Sequence, residues 1–129
     1  MSRTPEQTAR LEQAEHFLRT HPAEGFDLAT WYERTDCGTV CCAVGAMAAS
    51  GQFEGLHLVH TPRARWKPDA VPRFEEWWSW DAVERYFGLT SYDAINIFQT
   101  SGYLDDHGEE RHDVKPAEVA DRIRELLDD

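Results

Sequence analysis

Apolar positions along this chain recur mostly at helical spacing, in blocks separated by short breaks rich in glycine and proline. Thr4-Pro5-Glu6-Gln7 reads as a capping box with proline in the first helical position. Leu11, Ala14, Phe17 and Leu18 then share one stripe, so a helix is expected from Pro5 to Thr20. His21-Pro22 and Gly25 break it, and Phe26, Leu28, Trp31 and Tyr32 form an aromatic connector. From Thr39 to Gly51 no side chain is charged, and a helix apolar on all sides has no face suited to water. Thr39 is placed to cap that helix and Gly51 to end it in a left-handed conformation, which predicts about three turns at the centre of the fold. Cys41, Gly45 and Ala49 recur every fourth residue and offer a side for close approach.

Beyond Gly51, Leu56-His57-Leu58-Val59-His60 alternates as a short strand. Thr61 to Arg73 is a basic island, with Arg63, Arg65, Lys67 and Arg73 around Trp66, and Pro62, Pro68 and Pro72 mark it as an irregular loop. Ser79 is placed to cap a helix lined by Trp80, Val83, Tyr86 and Phe87 and ended by Gly88, which leaves Trp77 and Trp78 at its entry. Thr90 and Asp93 open the next helix, with Ala94, Ile95, Ile97 and Phe98 as its core positions. A polar loop from Gly102 to Asp113 follows. Pro116 then starts a last helix facing inward through Val119, Ala120, Ile123, Leu126 and Leu127, with Glu118 and Arg122 as a surface pair. The expected fold is mainly α: one compact domain over residues 1–129, with about five helices around the buried Cys/Ala/Gly-rich helix. A short β-hairpin near residues 56–66 makes α+β the alternative.

Charge narrows the class of partner. Twenty-four acidic against 13 basic residues give a formal charge of -11, which argues against direct nucleic-acid or anionic-membrane binding. A protein with a basic surface suits it better, although ordinary soluble surfaces are also acidic. No apolar run approaches the roughly 18 residues of a membrane span, and the N-terminus lacks the apolar stretch of a signal peptide. All three cysteines, Cys37, Cys41 and Cys42, fall within six positions. That leaves an odd thiol and poor geometry for bridging, so the expected compartment is the reducing cytoplasm.

The same cysteines carry the candidate chemistry. A thiol nucleophile at Cys37 or Cys41, at a helix entry and paired with His57, His60 or His107, is the enzymatic reading, with Asp36 as an orienting acid. Cys37, Cys41, His57 and His60 also total the four ligands of a tetrahedral zinc site, but the spacing is not that of a usual finger. The acid-rich loop lacks the register of a calcium-binding EF-hand. With neither metal nor catalysis, the cysteines are small apolar residues that let the helix pack tightly, and no cofactor is implied.

Phe26-Asp27-Leu28 and Trp31, then Cys37-Gly38-Thr39 with Cys41 and Gly45, then Phe87-Gly88-Leu89-Thr90, Asp93-Ala94 and Ile97-Phe98, form a recognisable pattern. It resembles that of a group of small uncharacterised bacterial and phage proteins sharing a CGTxxCxxG motif. The resemblance implies a single domain and carries over no catalytic residue. The function expected is therefore non-enzymatic: an acidic binding or regulatory module acting by protein–protein contact. One version is a phage-type inhibitor seated in the basic channel of a host nucleic-acid enzyme. The expected contact residues are Trp77 and Trp78, because exposed tryptophan is enriched at interface hot spots, together with Asp105, Asp106, Glu109 and Glu110. A cysteine-dependent hydrolase or transferase and a small zinc-binding domain are the alternatives.

Overall fold

Thr4 opens the first helix as its spacing predicts. Its hydroxyl accepts from the Gln7 amide at 3.1 Å, and the Gln7 carboxamide accepts from the Thr4 amide at 2.9 Å, so two amides stranded by the helix start are satisfied reciprocally. The computed structural model describes residues 3–28, 31–35, 38–60 and 70–129, and for 32–35, 38–40 and 60 the backbone alone. Helix α1 (Pro5–Arg19) is followed by strands β1 (Tyr32–Thr35) and β2 (Gly38–Cys41) and helix α2 (Ala43–Ser50). Strands β3 (Leu56–His60), β4 (Ala70–Phe74) and β5 (Trp77–Trp78) come next. Helices α3 (Ser79–Phe87) and α4 (Ser91–Phe98), a 3-10 turn (Thr100–Gly102) and α5 (Pro116–Leu127) complete the chain. Strands β1 and β2 form an antiparallel pair, and β3-β4-β5 form an antiparallel sheet in that order. The fold is mixed α+β, with five α-helices among the described residues, rather than mainly α.

The central helix starts later than its sequence suggests. Thr39–Cys41, expected as its cap and the start of its first turn, is extended instead, and Gly38–Cys41 pairs with Tyr32–Thr35. β-Branched Thr39 and Val40 suit a pleated backbone. Cys41 is pinned from the other side as well: its amide donates to the Gly25 carbonyl and its carbonyl accepts from the Asp27 amide, each at 3.0 Å. Cys42, not Thr39, takes the capping position, its sulfur accepting from the Gly45 amide at 3.3 Å. Gly51 ends the helix at φ +73°, as expected. Because Cys41 precedes α2, the fourfold repeat is not one helical face, yet at Gly45 the close approach is real. A Cβ there would stand 1.5 Å from the carbonyl oxygen of Trp31.

Strand β3 lies where its alternation places it, but its partner is Ala70–Phe74 rather than a segment ending near 66. Pro72 and Arg73 therefore belong to a strand and not to an irregular loop. The rest of the basic island, with Arg63, Arg65, Trp66 and Lys67, falls outside the described residues. Trp77 and Trp78 continue the sheet by pairing with Phe74 and Arg73 and lead straight into α3, with Trp78 in its capping position, so the entry expected of them is also a strand. Ser79, expected as the cap of α3, is instead its first residue at φ +54°, and no side chain caps that helix.

Every helix feeds one core, through Leu11 and Leu18, Val44 and Met47, Val83 and Phe87, Ile97 and Phe98, and Val119 and Ile123. Helices α1 and α5 share the most extensive helix–helix packing, edged by Arg124–Glu15 at 2.6 Å and Arg19–Asp121 at 2.9 Å. Two surface expectations change. Ile95 is 41% exposed on the outer side of α4 rather than core. Glu118 pairs with Arg111 through two hydrogen bonds of 2.7 and 3.1 Å, whereas Arg122 reaches back to the Asn96 carbonyl at 2.8 Å. Among the described residues no helix is long and apolar enough to cross a membrane.

Candidate binding surface

In an antiparallel sheet, residues directly opposite one another share a face. Register places His57 opposite Arg73 and Arg73 opposite Trp78, so the three form a row across β3, β4 and β5. The other face carries buried Leu56 and partly buried Phe74 toward the core, which leaves the row outward. Arg73 holds Trp78 in place: its guanidinium carbon lies 5.0 Å from the ring centre while its Nε donates to the Glu75 carbonyl at 2.9 Å. Trp77, half-buried, lies under Arg85 at 3.8 Å. Trp78 is 41% exposed, and the exposed carboxylates of Glu75, Glu76 and Asp81 flank the pair in sequence. Both indoles are thus stacked by cations of the same chain, a contact worth about 0.5–1 kcal/mol at exposed sites.

Beside that row lies a groove of about 880 Å³ whose lining includes Arg10, His57, Arg73, Phe74, Glu75 and Tyr86. Arg10 forms its firm wall. The guanidinium lies 4.3 Å from the Tyr86 ring centre and 5.2 Å from that of Phe74, and donates to the Tyr86 carbonyl at 2.9 Å and to Glu6 at 3.0 Å. The Tyr86 hydroxyl donates to the Glu54 carbonyl at 3.0 Å, and burial pushes its pKa up. Arg73 belongs both to this groove and to the tryptophan corner, so the concavity and the exposed indole form one continuous surface.

The acid-rich loop is a separate element. The Asp105 carboxylate accepts from the His107 and Glu109 amides at 2.8 and 3.0 Å, shaping the turn, and Glu110 accepts from the Thr100 hydroxyl at 2.7 Å. Arg111 anchors the loop to α5 through Glu118, with Asp113 on its Nε at 2.9 Å. Those contacts hold the Glu118 and Asp113 carboxyls below their usual range. Of the expected contact acids, Asp106 and Glu109 are exposed and make no side-chain hydrogen bond among the described residues, whereas Asp105 is engaged within the loop and Glu110 with Thr100 before it. Among the described residues, no hydrogen bond or ion pair joins this loop to Trp77 or Trp78.

The thiols described are not poised to react. Cys42 is buried, donates weakly to the Trp31 carbonyl at 3.8 Å, and is pushed up to about 12 by burial. Half-buried Cys41 is raised for the same reason. A nucleophilic cysteine requires the opposite shift. Cys37 and Asp36 lie outside the described residues, as does the side chain of His60; His57 is exposed on β3 and His107 on the 104–110 turn. Among the described residues, no three His, Cys, Asp or Glu side chains group as metal ligands.

The residues of the pattern quoted from the sequence meet in two groups. Phe26 bridges Cys41, the Asp27 amide meets the Cys41 carbonyl, and Trp31 seats its carbonyl on Gly45. Gly88 is the left-handed end of α3, Thr90 caps α4, and the Phe87 and Phe98 rings stack at 5.7 Å. These are packing and capping positions, so the pattern describes how the fold closes. No protein-family model, curated protein or solved structure matches the chain. Sequence reasoning picked out the tryptophans but not the arginines above them. Those pairs form across the β4–β5 turn and between β5 and α3, so they depend on how those elements fold together, and the one local sign was the Arg73 and Val71 alternation that Pro72 obscured.

Proposed function

We propose that the protein is a non-enzymatic, cytoplasmic binding module that engages a protein with a basic surface through Trp78 and the groove beside it. The observation that carries this reading is the His57–Arg73–Trp78 row. It presents an exposed indole held by Arg73, a residue that also lines the groove. Holding the ring before contact lowers the ordering cost of association. The partner's sign follows from the formal charge of -11 and from Glu75, Glu76 and Asp81 around the indoles. Cys42 belongs to the core, and burial raises the thiols of both Cys42 and half-buried Cys41, the opposite of what a nucleophile needs. A basic nucleic-acid channel of an enzyme is one surface of the required kind, and the likeness to bacterial and phage proteins is in keeping with it. Asp106 and Glu109 form a second, independent acidic contact.

The test is capture and identification of the partner with immobilised protein, followed by direct titration of the purified partner. Trp78→Ala should weaken the complex about 30-fold, the effect of a hot-spot residue. Reversing Glu76 and Asp81 to lysine should slow association and flatten its salt dependence. Equal affinity for all three proteins would remove the assignment.

A further inference from the structure

We propose that the cleft beside the Trp31–Trp80 pair, lined by both indoles, is a subsite for one cationic side chain, an arginine or lysine of the basic partner. The inference rests on the reading of the protein as a module for such a partner and names where one of its charges goes. The two ring centres lie 4.6 Å apart with planes inclined at 49°, so the rings touch and open into a V at one side. Around it is a cleft of about 250 Å³ completed by Leu28, Gln99 and Thr100. That space is small for a cofactor-sized ligand and suits a single side chain.

The chain covers its other described tryptophan faces itself. Arg73 lies over Trp78 and Arg85 over Trp77, and Tyr86 and Tyr103 are stacked in the same way by Arg10 and Arg122. Among the described residues, no cation stands over Trp31 or Trp80, and none lines the cleft. Indole faces carry the negative end of the ring quadrupole and are the strongest aromatic partners for a cation. Charge at the edge has the same sign. The Thr100 hydroxyl donates to the Glu110 carboxylate at 2.7 Å, which brings an anion to the lining, and exposed Asp81 follows Trp80 on α3. The walls are also fixed beforehand. The Trp31 backbone is lodged against Gly45 and takes the weak Cys42 hydrogen bond, Trp80 stands on the first turn of α3, and Leu28 is 8% exposed beneath. A guanidinium or ammonium entering here meets two aromatic walls and a nearby carboxylate with little rearrangement.

The experiment titrates N-acetyl-arginine amide, and its neutral isostere N-acetyl-citrulline amide, into the full chain while following the five indole N–H signals by NMR. The arginine compound should shift the Trp31 and Trp80 signals saturably and bind about tenfold more tightly than the citrulline compound. Trp80→Leu, which keeps an apolar group but loses the ring, should abolish that difference. Glu110→Gln, at an exposed position, should weaken arginine binding several-fold without altering the fold. Equal binding of the neutral isostere would overturn the proposal in favour of an apolar slot, and so would unchanged arginine binding in Trp80→Leu. Trp78→Ala should leave this titration unchanged. Loss of partner binding in that variant therefore reports on the tryptophan corner, and loss of arginine selectivity in Trp80→Leu reports on the cleft.

Discussion

Gly45 on α2 faces the backbone carbonyl of Trp31 so closely that a methyl group on its Cα would stand 1.5 Å from that oxygen. The obstacle is backbone and cannot swing aside, so Gly45→Ala has to push α2 away from the segment before β1. The expected cost is about 3 kcal/mol or more, read from urea denaturation. Gly51→Ala is the control. It meets nothing within 4 Å but has φ +73°, so only the left-handed backbone opposes it, at about 1 kcal/mol. Equal losses at the two sites would contradict the close approach.

Cys42 is a helix cap made of sulfur. Removing it in Cys42→Ala should cost about 1 kcal/mol, while Cys42→Ser, which can still accept from the Gly45 amide and donate to the Trp31 carbonyl, should retain more of that stability. With its thiol held near 12 and buried, Cys42 should take up iodoacetamide only as fast as the protein unfolds. Peptide mapping after brief native exposure reads this site separately, and rapid labelling of Cys42 at neutral pH would show that its burial is wrong.

Acid should destabilise the fold in two stages. Burial, which includes a stack on Phe17 at 5.2 Å, lowers the pKa of His21 from its ordinary 6.5. The Arg124 hydrogen bond lowers Glu15, and the Arg111 hydrogen bond lowers Glu118, from the usual 4.5. In each case the unfolded chain binds more protons than the folded one, so the stabilisation is complete above the unfolded value and is lost as pH falls through the folded one. Urea midpoints should therefore begin to fall below pH 6.5 and drop again below 4.5. His21→Phe should flatten the first stage. Glu15→Gln should flatten part of the second and lower stability at neutral pH, and a variant that leaves both stages intact would refute the assignment.

Glu75 occupies a left-handed conformation, φ +55°, in the two-residue turn between Phe74 and Trp77. Glycine is the residue that such hairpin turns favour. Glu75→Gly should raise stability by up to about 1 kcal/mol, the relief of strain being partly offset by a more flexible unfolded chain, and Glu75→Val should lower it. Thermal melting checks both directions.

The features legible in the sequence are those written within one turn of chain. Thr4 with Gln7, Thr90 with Asp93, and Gly51 and Gly88 mark helix ends where the structure has them, because each cap joins residues three or four apart. Strands β2 and β4 were hidden for opposite reasons. The uncharged run through Val40 and Cys41 continues the apolar pattern of α2, and the prolines around β4 read as loop, yet each strand exists because of a partner elsewhere in the chain. The surface follows the same division. Three tryptophans in four residues already implied that one would face outward, whereas Arg85 above Trp77 and the Trp31–Trp80 wedge are products of the tertiary fold. Asp105 shows the limit of reading charge alone, since its carboxylate shapes a turn with two backbone amides.

The pairing of α1 with α5 bears on how the molecule is made. Glu15 and Arg124, hydrogen-bonded across that seam, are 109 positions apart. While the chain is being synthesised, Leu11, Ala14 and Leu18 wait without the Val119, Ala120 and Ile123 that share their core. Contacts of such long sequence separation form slowly and late. The nascent protein thus keeps the apolar stripe of α1 uncovered until α5 has left the ribosome, and a chaperone acting in that interval has that stripe as a target.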